Sequence, residues 1–196
     1  MRGFNYKKAV QALNYLAIKS GGSLNKMKAI KLIWLSDRYH LRKYGRLITG
    51  DSYFALPNGP VPSATRDVLE NSPFLGDIAT EYAADFLSGI DKYTYKSISE
   101  CNLKVFSKTD IDCLEVVFGK FAKFDHFKLS DISHLFPEWK RYESALNKRL
   151  SSRFEILDDD FFENINEESG LFNDTVDDIM LSKQVYTESK NILACL

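Results

Sequence analysis

Residues 27–62 read MKAIKLIWLSDRYHLRKYGRLITGDSYFALPNGPVP. The first half carries a helical period. Met27, Ile30, Ile33, Trp34, Leu41 and Tyr44 share one broad arc when each residue turns the helix by about 100°. Leu32, Leu35 and Tyr39 fall on a roughly opposite arc. A helix with two apolar faces must be covered on both sides, so this is expected to be the central helix, over about 23–44. Ser23 is the expected N-cap and Gly45 the expected stop. After it the period changes. Asp51 to Leu56 is short, aromatic and bounded by turn residues, as a strand should be. Asn58-Gly59 signals a tight turn, and Pro60 and Pro62 fix the exit into a helix starting at Ser63.

Working outward, Tyr6 to Lys19 predicts a first helix, with Val10, Leu13, Leu16 and Ala17 on its apolar side and Lys7 and Lys8 facing water. Gly21-Gly22 ends it. Ser63 to Glu70 predicts a third helix, and Asn71-Ser72-Pro73 stops it. Lys92 to Ile98 alternates like a strand, and Leu103 to Phe106 is its expected hairpin partner. With Tyr53–Leu56 these would make one small three-stranded antiparallel sheet. Ser107 to Phe124 predicts a second long helix, with Ser107 and Asp110 as a capping box. Its stripe of Ile111, Leu114, Val117, Phe118, Phe121 and Phe124 reads as core. Ser130 is the expected cap of a short helix, and Pro137 opens another. The fold class is therefore α+β and predominantly helical.

The chain has 196 residues, 44% of them hydrophobic and 13% aromatic, enough for a packed core. No run approaches the ~20 apolar residues of a membrane span, and no secretion signal is recognisable near the N-terminus. Three cysteines without metal spacing fit a reduced cytosol. The net charge of −1 hides a split. Residues 1–150 hold 23 Lys and Arg against 16 Asp and Glu, net +7, whereas residues 151–196 hold 3 against 11, net −8. An acidic C-terminal segment either docks on a basic body or offers itself to a partner, or both surfaces are simply solvated. Residues 1–150 are thus the expected principal domain, with 151–196 appended.

No P-loop, GxGxxG, GxSxG, HExxH or CxxC pattern occurs, so no cofactor or metal is expected. Asp37 lies among apolar neighbours and must be paired or hydrogen-bonded. The structural reading has it bind backbone N–H groups of the 57–62 turn, or a cation. The chemical alternative is a metal-binding or hydrolytic site built from Asp37, His40 and His134. Lys28, Lys31, Arg38 and Arg42, with Lys43 and Arg46 beyond, form a basic strip that suits a protein partner or, as an alternative, nucleic-acid phosphates.

The block KLIWLSDRYHLRKYGRLITGDSYFALPNGPVPS (31–63) resembles the signature region of the Panacea domain, the SocA-like antitoxin family of bacteria and their phages. The likeness rests on Lys31-Leu32, Asp37, His40-Leu41, Gly45-Arg46, Thr49-Gly50-Asp51, Tyr53 and Gly59-Pro60-Val61. Leu129-Ser130, His134 and Trp139 supply a second element. The resemblance covers roughly residues 5–150 and implies a mostly helical domain with a small sheet. It further implies a cognate protein toxin neutralised by direct binding, with a protease as a further partner in members that hand the toxin on. Asp37, His40, Gly59, Pro60, His134 and Trp139 would then be scaffold. Variable partner contacts are expected outside it, at Lys28, Lys31, Arg38, Arg42 and Tyr53 and at Phe161, Phe162 and Phe172 of the acidic segment.

Overall fold

The computed structural model describes residues 3–165, 167 and 169–194. Helix α1 (Tyr6–Lys19) starts at Asn5, whose side chain accepts from the Lys8 amide at 3.0 Å. The Gly21-Gly22 pair ends it with two positive φ angles. The chain then forms a strand, β1 (Ser23–Asn25), before entering α2 (Lys26–Tyr44). Ser23 is therefore not the cap. It is paired with Lys96 in a sheet, and Asn25 receives the Lys28 amide instead. Gly45 closes α2 in the left-handed conformation, as the sequence implies.

Strands β2 (Tyr53–Leu56) and β3 (Gly59–Pro62) form a hairpin that leads directly into α3 (Ser63–Glu70). Next come α4 (Asp77–Ala84), β4 (Leu87–Gly89) and β5 (Thr94–Ser97). Helices α5 (Lys108–Phe121), α6 (His126–Ser133), α7 (Pro137–Lys140) and α8 (Glu143–Asn147) follow, then β6 (Phe154–Glu155) and α9 (Val176–Ala194).

Two small antiparallel sheets replace the single one expected, in the orders β1-β5-β4 and β3-β2-β6. Strand β5 is central, with β1 and β4 on its two edges, so no edge remains for Leu103 to Phe106. That segment takes a 3-10 turn capped by Asn102. Helix α6 begins at Asp125, and Ser130 lies inside it. The capping box at Ser107 and Asp110 forms with both reciprocal bonds. Lys8 does not face water, because its ammonium meets Asp110 at 2.6 Å.

Helix α2 is the axis of the molecule. Its Leu32, Ile33, Trp34, Leu35 and Leu41 are all buried. Helices α1, α5, α6 and α9 and strand β3 surround it, which is why both arcs of its surface are apolar. Among the described residues no helix is long and apolar enough to cross a membrane.

Candidate functional site

The second half of α2 sends polar side chains into the interior, and each one ties down a different segment. Asp37 is fully buried. It accepts from the Ile48 amide at 2.5 Å, the Thr49 amide at 3.0 Å, the Thr49 hydroxyl and the Tyr53 hydroxyl. Its partners thus lie at 48–53 and not in the 57–62 turn. The chain leaving Gly45 doubles back along α2, and this brings its amides to the carboxylate first. Burial pushes the Asp37 carboxyl up, while the Thr49 and Tyr53 bonds pull it down. Asp51 repeats the device one step later and holds the start of α3 through the Ala64 and Thr65 amides, at 3.0 and 2.7 Å.

The 57–62 turn is held by other groups. Lys31, buried, donates to the Pro60 carbonyl at 2.9 Å. Ser130 donates to the Asn58 carbonyl, and the Trp139 indole to the Leu56 carbonyl. His134 stacks on Trp139 with ring centroids 3.8 Å apart. Gly59 has φ +99°, and a β-carbon there would overlap Ser133. Burial pushes the Lys31 ammonium down to about 7 and also lowers His134, with Lys31 adding to the latter effect.

His40 faces another direction. Its Nδ1 lies 2.9 Å from the Arg46 carbonyl, so it carries a proton. Its Nε2 lies 3.0 Å from Thr109 Oγ1 and 3.2 Å from Asp110 Oδ1. Asp110 also receives Lys8, Arg46 at 2.7 Å and the Ser107 amide at 2.9 Å. Burial alone would raise the Asp110 carboxyl, but the bonds from His40, Lys8 and Ser107 and the charge of Arg46 hold it well below the usual range. Asp37, His40 and His134 therefore serve three separate contacts and do not meet. No group of three His, Cys, Asp or Glu among the described residues could hold a metal ion.

The expected basic strip is not a continuous surface. Lys31, Arg38 and Arg42 are buried, and Lys28 donates to the Ala122 carbonyl at 2.6 Å. Arg38 pairs with Glu138 at 2.9 Å, donates to the Glu163 carbonyl, and lies 4.9 Å from the rings of both Phe136 and Phe172. Arg42 is wrapped by the acidic segment. It reaches Asp174, Asn164 and the carbonyls of Phe161, Glu163 and Phe172. A buried guanidinium is tolerated only when it is so fully paired. The same packing buries Phe161, Phe162 and Phe172, while Tyr53 is buried under Phe161. The buried residues cannot present themselves to a protein or to phosphates, so the expected contacts at Lys31, Arg38, Arg42, Tyr53, Phe161, Phe162 and Phe172 are corrected to core positions, while Lys28, Lys43 and Arg46 keep part of their side chains in solvent.

A family model described as antitoxin SocA-like, Panacea domain, matches residues 30–140. The chain belongs to this family. No curated protein and no solved structure matches it. The Panacea match starts in the first turns of α2 and ends with α7, so it holds the Asp37, His40 and Lys31 anchors together with the elements they tie down. It stops short of the acidic segment that supplies the partners of Arg42.

The segments the sequence put at the surface are inside, and the exposed apolar side chains lie elsewhere. Phe74 is 90% exposed, and Ile78, Phe127, Leu135, Met180 and Leu181 are also open to solvent. Single apolar residues at these places carry no periodic signal of their own, which is why the sequence did not mark them.

Proposed function

We propose that this chain is an antitoxin that neutralises a cognate protein toxin by binding it directly. The observation that carries the reading is the Panacea-domain match over residues 30–140. The arrangement of the polar groups supports it. Asp37, His40, Asp51 and Asp110 are consumed by backbone and side-chain contacts, so they act as anchors of a rigid scaffold and not as reactants. Binding, with no turnover, is then the activity.

The test is expression of the product of the adjacent reading frame with and without this chain. The expected result is growth arrest by the neighbour alone, rescue on co-expression, and co-purification of the two proteins. Rescue without a recoverable complex, or no rescue, overturns direct neutralisation.

A further inference from the structure

Residues 147–153, NKRLSSR, join the Panacea body to the acidic segment, and every one of them is exposed. Among the described residues their hydrogen bonds stay within the stretch or reach back to α8. The Arg149 amide donates to the Leu146 carbonyl, and Ser151 Oγ donates to the Arg153 carbonyl at 2.8 Å. Arg149 has φ +54°, a left-handed conformation that an L side chain disfavours. Asn71 shares that conformation, but there it closes α3 as a C-cap, a place where asparagine tolerates it. Arg149 makes its bend in solvent, and Leu150 beside it is 73% exposed. The bend is therefore strained and no packing holds it.

Beyond the bend, the chain is fitted to the body throughout. Strand β6 pairs with β2, and Phe154 stacks on Tyr142. Asp160 meets Arg141, Asp174 meets Arg42, and Phe172 packs against Phe121 and Phe136. None of these contacts requires the two parts to belong to one chain. The body carries +7 and the segment −8, so the segment of a second copy is attracted to it as well. We propose that two copies of this chain exchange their acidic segments, giving a closed two-fold dimer in which residues 147–153 are the hinge. The exchange keeps every contact between body and segment and changes only the hinge. In the exchanged form the chain runs straight through 147–153, and Arg149 returns to the extended region. Straightened, these seven residues span about 23–25 Å, enough to cross to a body placed hinge to hinge. A short hinge under strain favours such an exchange. Against it stands the tether, which gives a chain's own segment an effective concentration in the millimolar range. Exchange is therefore expected where chains fold at comparable concentration, and it is independent of any toxin.

The experiment uses the full chain, refolded from urea over protein concentrations up to the millimolar range and sized by light scattering after dilution. Circular dichroism checks folding. Four forms are compared: wild type, Arg149→Gly, a Gly-Ser-Gly-Ser-Gly-Ser insertion after Ser151, and a deletion of residues 150–152. Wild type should leave a dimer fraction that grows with the refolding concentration and persists on dilution, because separation requires the segment to undock. Arg149→Gly and the insertion both ease the bend and should each lower that fraction about tenfold or more. The deletion should turn most of the protein into dimer, since the shortened stretch cannot make the bend. Wild type that is monomeric at every concentration overturns the proposal. So does a dimer present equally in wild type, Arg149→Gly and the insertion, or one that separates at once on dilution, because either is ordinary surface association. Should the deletion variant fail to fold, Arg149→Gly and the insertion decide.

Discussion

Gly59→Ala tests how tightly the signature turn is fitted to α2 and α6. Gly59 has φ +99°, a conformation that costs an L-residue about 1–2 kcal/mol. A β-carbon there would also overlap Ser133 Oγ and stand 2.5 Å from Lys31 Nζ. One of the two must move. Moving Ser133 breaks its 2.7 Å bond to the Ser130 carbonyl, and moving Lys31 breaks its 2.9 Å bond to the Pro60 carbonyl. Either leaves a buried polar group unpaired, at about 1–3 kcal/mol. The expected loss is about 2–5 kcal/mol, which lowers the urea midpoint by roughly 1–2.5 M for a slope of about 2 kcal/mol/M. Ser133→Ala alone should cost about 1 kcal/mol. In the double variant the overlap with the oxygen is gone, so its loss should fall short of the sum by about 1 kcal/mol or more. An unchanged midpoint in Gly59→Ala, or strict additivity in the pair, would refute the argument that this contact requires glycine.

Asp37→Ala strands two buried amides and two hydroxyls and should cost about 3–5 kcal/mol; an unaltered melting curve would remove the role assigned to it. Lys31 has its ammonium pushed down to about 7 by burial, so between that value and its ordinary 10.5 the folded chain binds fewer protons than the unfolded one. Stability from this group must therefore rise with pH across that window, and Lys31→Met should abolish a gain of about 3 kcal/mol measured by denaturation between pH 7 and 10. Gly45→Ala places a methyl 2.7 Å from Val185 Cγ1 and 2.8 Å from the Ser182 carbonyl, at φ +65°. It should cost about 1–3 kcal/mol and accelerate amide exchange in α9 before α2; uniform exchange would contradict a local effect.

Periodicity made α1, α2, α3 and α5 legible, because each buries a face whose spacing is written in adjacent residues. The capping box at Ser107 and the stop at Gly45 were legible for the same reason: both are local chemistry. The burial of Asp37 could be read from its place on an apolar arc. Its partners could not, since they depend on the path of the loop that leaves Gly45. Leu103 to Phe106 is the expected hairpin partner of Lys92 to Ile98, yet pairing needs a free neighbouring edge, and β1 and β4 take both edges of β5.

The charge split between the two parts of the chain has the largest structural consequence: the acidic segment docks on the body, one of the outcomes the sequence leaves open, and buries arginines that read as surface residues. Arg38 and Arg42 look like surface residues because arginine is costly to bury. They are buried because residues a hundred or more positions away along the chain pair with them. Arg42 donates from Nε and Nη to Asp174, Asn164 and three carbonyls, all after residue 160. Phe172 packs against Phe121, Phe136 and the Arg38 guanidinium at once. Removing the segment would uncover those rings and leave Arg42 without the groups that satisfy it, a loss on the order of 3–5 kcal/mol for the charge alone. The acidic residues thus complete the interior of the Panacea scaffold. Under the antitoxin reading proposed above, partner contacts are therefore to be sought on the surfaces left exposed after the segment has docked.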